Sequence, residues 1–340
     1  MSERVDSHRP DATDCPPDRY VQRRMRLLAD PPFEDPQALA ATWGGPFGVV
    51  DEVGPLRRVL VRAPADEFAQ MSARDWDEAV QALCDPARYF WTDRRPPDRE
   101  RLREQHAELV AALRAEGVEV HEAPPLPARF SKAVYVRDPL VMLGCGAVVG
   151  RLAAEMRRGE EPHVTRMLGK LGVPILRTIV GRGIVEGGSV MRLRPGLVAF
   201  GTSIRCNAEG AAQLAETVRT LGGELIEVPL GGYTIHLDER MALVDVDKAL
   251  VDAPGLPHWF LDRLAELGIE PIWCHPGEEW GINCLTVRPG RVIMPDDSPR
   301  TAELLEKRGI EVVPIPYFEL HKNGGGIHCS TMELRRDPAA

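Results

Sequence analysis

A chain of 340 residues with 51 acidic and 42 basic side chains, a formal charge of −9, has no basic surplus with which to hold nucleic acid or an anionic membrane, because phosphate binding needs clustered Lys and Arg. Its arginine runs, Arg23, Arg24 and Arg26 in one place and Arg157 with Arg158 in another, are short and lie close to acidic residues. Seven cysteines in no tight framework, behind an opening MSERVDSHRPD without an apolar core, predict reduced thiols and a cytoplasmic place, and no run reaches the roughly 18 apolar residues of a membrane span.

Residues 1–45 are charged and proline-containing (ADPPFEDP) and read as an irregular N-terminal arm. Beyond it, helical patterns that end in glycine and run at once into a β-rich stretch recur: LRAEGVEVHEAP, LGKLGVPILRTI, VRTLGGELIEVPL, LAELGIEPIWCH and LEKRGIEVVPIP. Their glycines, Gly117, Gly172, Gly222, Gly268 and Gly309, fit the C-cap position. A loose period of roughly 40 to 55 residues is the range of propellers and repeat arrays. Each β-run is followed by a second apolar stretch that opens with polar residues: YVRDPLVML, IVEGGSVMRL, TIHLDERMALV, INCLTVRPGRVIM and GIHCSTMEL. Arranged radially, these strand starts converge and collect Asp138, Glu186, His236, Asp238, Asn283 and Cys329. Ordinary parallel βαβ units, with the same residues capping strands, are the alternative that the repeat alone leaves open.

The residue types at those points favour convergence. A cysteine is nucleophilic as thiolate and needs a nearby positive charge or base near neutrality; His236 can give acid–base help. Three carboxylates beside a thiol would repel an oxyanion and raise the thiol's pKa. They suit a substrate that is itself a cation, such as a planar guanidinium, whose N–H groups match carboxylates in bidentate geometry. Its arrival neutralises the acids and favours the Cys329 thiolate.

YVRDP, VEGGS, IHLD and GGGIHC, in that order across roughly Val50 to Arg336, resemble the guanidino-group-modifying superfamily of arginine deiminases, dimethylarginine dimethylaminohydrolases, agmatine deiminases and amidinotransferases. The resemblance implies an α/β fold, the five-bladed pseudo-symmetric α/β-propeller called the pentein, built from ββαβ-type repeats in one catalytic domain over residues 46–336. DEVGPLRRVLVRAP looks like its first strand. By resemblance Cys329 is the nucleophile that forms a thiouronium intermediate, His236 the general acid and then base, and Glu186 the group that orients His236 or holds the guanidinium. Asp138 and Asp238 clamp the guanidinium nitrogens. Arg205 is similar to the arginine that binds a substrate carboxylate, and Arg157 and Arg158 match a similar region. Ser189 stands where arginine deiminases and dimethylargininases usually have aspartate, as in agmatine deiminases, and Lys132 where some arginine deiminases have asparagine.

The resulting expectation is hydrolysis of arginine or an arginine derivative to a ureido product, without metal or cofactor. Two alternatives stand beside it: an amidinotransferase, which admits an amine instead of water, and a non-catalytic pentein that binds a macromolecule. The expected partner is a small guanidino compound with a carboxylate; a homo-oligomer is compatible with the sequence, which carries no signal for chain number. His328 reads as packing, because neighbours on a strand face opposite ways, and Asn283 and Cys284 read as structural. Cys274, His275, His321, His328 and Cys329 are zinc-ligand types without zinc-ligand spacing.

Overall fold

The computed structural model describes residues 32–339. Residues 1–31 of the expected arm lie outside the described residues. The part that follows is not irregular: Pro36–Trp43 is a helix. Asp35 caps it by accepting from the Gln37 and Ala38 backbones, proline occupies its first position, and Gly44 ends it at φ 79°. Eight residues flanked by prolines give too short an apolar period to be read from sequence.

Five three-stranded sheets share one pattern. In the second, Leu140–Leu143 pairs antiparallel with Gly146–Val149, which pairs parallel with Ile175–Thr178. The pattern returns in Val190–Arg194, Leu197–Thr202 and Glu224–Pro229, in Met241–Asp245, Lys248–Val251 and Glu270–Trp273, and in Leu285–Arg288, Arg291–Pro295 and Glu311–Ile315. In the first sheet Leu56–Val61 runs parallel to Glu119–Glu122, and its antiparallel partner is the chain's last strand, Met332–Arg336. The two ends of the chain complete one sheet.

The middle and last strands of each sheet are joined through a helix: Arg99–Ala115, Glu161–Leu171, Ala208–Thr220, His258–Glu266 and Pro299–Glu306. The longest buries Leu102, Leu109 and Leu113 along one face, and its N-cap Asp98 accepts from the Glu100 and Arg101 backbones. After each helix the expected glycine takes the left-handed conformation, at φ 76° for Gly117, 75° for Gly172, 76° for Gly222, 75° for Gly268 and 81° for Gly309. Burial separates the strands: Leu140–Leu143 and Gly146–Val149 are buried throughout, whereas Ile175–Thr178 is exposed at both ends.

Two features were not legible in the sequence. A further small sheet, Trp76–Asp77, Ala82–Asp85 and Tyr89–Trp91, is inserted between the first strand and its helix. It props the chain ahead of the glycine run, since the Thr92 amide donates to Lys322 O and the Lys132 amine donates to Phe90 O and to Asn323. Buried ion pairs tie the sheets together: Arg137 to Glu333 at 2.6 Å, Arg192 to Glu52 at 2.7 Å, and Arg192 to Glu333 at 3.5 Å, while Arg336 pairs with Glu333 within the last strand at 3.3 Å. Among the described residues no helix is long and apolar enough to cross a membrane.

Candidate active site

Asp138, Glu186, His236 and Asp238 all stand just before the leading strands of their sheets. Cys329 precedes the last strand in the same way, but it lies in a turn rather than on the strand. The Ser330 amide donates to Gly326 O at 3.1 Å, and the Thr331 amide to His328 O at 3.2 Å. The strand rule therefore fails for His328, which is not mere packing. Its Nδ1 lies 2.7 Å from Asp238 Oδ2, and the Cys329 Sγ lies 3.7 Å from the same oxygen.

The glycines ahead of Cys329 are spaces for other side chains. A Cβ on Gly325 would stand 2.5 Å from the Tyr135 ring, and one on Gly326 would stand 2.5 Å from Asn283 Oδ1. That Asn283 oxygen accepts the Cys329 amide at 3.1 Å, while its Nδ2 donates to Asp238 O at 3.3 Å. Asn283, expected to be only structural, thus positions the nucleophile, and its place at an equivalent strand start is the signal in the sequence. The pair Gly187 and Gly188 makes room similarly, the first for neighbouring backbone and the second for the imidazole. A Cβ on Gly187 would lie 2.2 Å from Arg137 O, and one on Gly188 would lie 2.8 Å from His236 Nδ1 and 3.0 Å from Asp138 Oδ1.

Glu186 is the hub of the other half. Its Oε2 meets His236 Nε2 at 2.8 Å and Arg205 Nη2 at 2.7 Å, and its Oε1 accepts from Arg205 Nε at 2.9 Å and the Ala153 amide at 2.7 Å. Two of the nitrogens of Arg205 are thereby committed to Glu186. Asp138 Oδ1 lies 3.6 Å from His236 Nδ1, and its Oδ2 pairs with Arg157. The Arg157 guanidinium is fully occupied, by Asp138, by Glu160 at 2.9 Å and by Tyr135 O at 2.9 Å. It lies beneath Asp138 and positions that carboxylate. Arg158 is half-buried and has no ion-pair partner among the described residues. Ser189 is buried, its Oγ without a hydrogen bond among them.

These contacts set the charges. Burial opposes protonation of His236, but the Asp138 charge and the Glu186 hydrogen bond outweigh it and raise its pKa to about 9. Burial would raise Glu186, yet the His236 hydrogen bond and Arg205 bring it down to about 2. Asp238, also against its burial, is lowered by His328. Burial, then Asp238 and Asp138, push the Cys329 thiol well above its ordinary value. Asp138 Oδ1 and Asp238 Oδ1 are buried with no hydrogen-bond partner among the described residues. Buried carboxylate oxygens without donors are costly, and a cation rich in N–H groups satisfies both while relieving the thiol of their charge. Asp138, Glu186 and His236, and likewise Glu52, His328 and Glu333, bring ligand atoms within 4.8 Å of one another. Arg157 and Arg205 in the first group, and Arg137 and Arg192 in the second, already neutralise those carboxylates.

The sequence pattern of the arginine deiminase family matches residues 125–255 and 274–336, more than half of the chain. The chain belongs to the arginine deiminase family. Among the family's relatives, the N(G),N(G)-dimethylarginine dimethylaminohydrolase of Pseudomonas aeruginosa is 28% identical over 240 residues, 70% of this chain and 90% of that protein. The enzyme of the same name from Streptomyces coelicolor is 29% identical over 281 residues, 83% of this chain and 98% of that one. The inosamine-phosphate amidinotransferase of Streptomyces griseus superposes with a TM-score of 0.64 at 21% identity, over 86% of this chain and 97% of that one, a likeness of fold alone. The arginine deiminase family member described here thus has the mixed α/β pentein fold.

Proposed function

We propose that this protein hydrolyses the guanidinium group of arginine or an arginine derivative to a ureido product, with Cys329 as nucleophile. The observation that carries this reading is the pair of unpartnered carboxylate oxygens, Asp138 Oδ1 and Asp238 Oδ1, beside a thiol and a charged imidazole. The relatives named as dimethylarginine dimethylaminohydrolases support it.

A guanidinium bound to Asp138 and Asp238 cancels the charges that hold Cys329 protonated, and the thiol releases its proton to solvent as the cation binds. The thiolate attacks the guanidinium carbon, His236 gives its proton to the departing nitrogen as the C–N bond breaks, and a thiouronium remains on Cys329. Neutral His236 then takes a proton from water. The hydroxide attacks the same carbon, the C–S bond breaks, and the ureido product leaves. Glu186 keeps the imidazole in place throughout, and Asn283 holds the Cys329 backbone. With Arg157 buried and Arg205 drawn to Glu186, Arg158 is the arginine left to take a substrate carboxylate. Ser189, whose buried Oγ has no hydrogen bond among the described residues, is a further substrate contact in this reading.

The finer architecture follows the same reading. Residues 46–336 form one catalytic domain, the five sheets being the blades of a propeller around the site. A cysteine nucleophile needs a reduced thiol, which supports a cytoplasmic place. The test is product analysis by mass spectrometry with arginine, mono- and dimethylarginine, agmatine and guanidinoacetate, each with and without glycine. Ureido product without glycine is expected. Turnover only with glycine would make the chain an amidinotransferase, and no product from any guanidine would overturn the reading.

A further inference from the structure

Four of the five sheets lead into the site with a thiol, an imidazole or a carboxylate. The exception, the sheet of Leu285–Arg288, leads in with Asn283 and has beside it an open cavity of about 750 Å³. Asn283 is a shared wall: it lines the cavity and also holds the Cys329 amide at 3.1 Å. Glu239, another wall, is the residue after Asp238. The cavity therefore lies one residue, Asn283, away from the nucleophile.

Its lining is acidic and aromatic. Asp252 is used by Arg240, whose Nη1 lies 2.5 Å away and whose Nε is held by Thr234 at 2.8 Å. Glu278, just outside, is used by the Arg300 and Thr301 amides of a helix start. Two carboxylates remain. Glu239 accepts one backbone N–H, from Ile235 at 3.3 Å, and Glu279 is exposed with no hydrogen bond or ion pair among the described residues. Two indoles stand with them: Trp273, 52% exposed, and Trp280, fixed by stacking on His321 at 4.5 Å. An aromatic face beside an uncommitted carboxylate attracts an organic cation, and an anion would meet repulsion from both acids. A volume of this size holds a small-molecule ligand.

We propose that this cavity is a subsite for an aliphatic ammonium or guanidinium group, set between Glu239, Glu279, Trp273 and Trp280. Two sources share that chemistry: the far end of a substrate that is cationic at both ends, or a separate amine. A separate amine would attack the thiouronium carbon with its nitrogen lone pair, its proton passing to His236 and the C–S electrons returning to Cys329. The use made of the cation rests on the guanidine chemistry proposed above, whereas its binding does not.

Calorimetric titration of the Cys329→Ala chain with 1,4-diaminobutane tests the binding without turnover. Saturable binding is expected, weakened about tenfold in Glu279→Gln and in Trp273→Leu, with butyrate not binding; a tenfold change is about 1.4 kcal/mol. Both substituted side chains are exposed, so unchanged melting curves would show that the fold survives. In the active chain, an amidino group recovered on 1,4-diaminobutane, and lost in Trp273→Leu, identifies a separate amine. A KM for agmatine raised by Trp273→Leu, with that for arginine unchanged, identifies the substrate's far end. No diaminobutane binding, binding indifferent to both substitutions, or equal binding of butyrate would overturn the proposal. Failure of every guanidine to turn over would overturn the hydrolase reading and leave the titration standing.

Discussion

Cys329 rests as a thiol because burial and two carboxylates act on it together. Its alkylation by iodoacetamide, followed peptide by peptide, should rise with pH only above the ordinary thiol range, and Asp238→Asn should move the inflection down. His236 behaves oppositely. Its folded pKa, about 9, lies above the ordinary 6.5, so its contribution to stability is complete below 6.5 and is lost as pH rises through about 9. Urea titrations on either side of that window should show wild type losing more stability than His236→Gln. Arg158→Ala should raise the KM for arginine well beyond that for agmatine, which has no carboxylate. At this scale the sequence disclosed the groups that do chemistry and concealed those that hold them. Cys329, His236, Glu186, Asp138 and Asp238 stand at equivalent strand starts, a pattern visible in one dimension. The commitments of Arg157 to Asp138 and of Arg205 to Glu186 are contacts across 19 residues in each case, with no local mark.

Among elements, glycines divide into two kinds with different consequences. Those after the helices are conformational: Gly268 has φ 75° with no atom near its missing Cβ, so Gly268→Ala should lower stability by about 1 kcal/mol and leave kcat unchanged. Those around Cys329 are spatial. In Gly326→Ala the new methyl displaces Asn283 and with it the nucleophile, so kcat should fall by about 10²-fold with a smaller change in melting temperature; paired kinetics and thermal melts compare the two. The first kind is legible because helix, glycine and strand are consecutive. The second was noticed as a glycine run, but the turn that brings His328 and Cys329 to the same carboxylate depends on hydrogen bonds that strand periodicity does not encode.

At the scale of the whole molecule, one sheet is shared by the chain's two ends, and a buried ion cluster fastens it to its neighbours. Glu333 in the last strand meets Arg137, Arg192 and Arg336, which, against its burial, hold its carboxyl well below the ordinary range. Glu333→Gln leaves three buried guanidiniums short of a partner and should cost roughly 3–5 kcal/mol, read by urea denaturation. The repeat made the five sheets foreseeable. The pairing of Leu56–Val61 with Met332–Arg336, the inserted sheet at Trp76–Trp91 and the ion cluster depend on contacts that no local pattern announces.

A covalent step on Cys329 is read from the mass of the chain, intact and peptide by peptide, quenched during turnover of arginine. An added mass at Cys329 equal to the substrate less ammonia, absent from Cys329→Ala, is expected. A chain that turns over with Cys329 unmodified, or that carries the adduct on another residue, would contradict it.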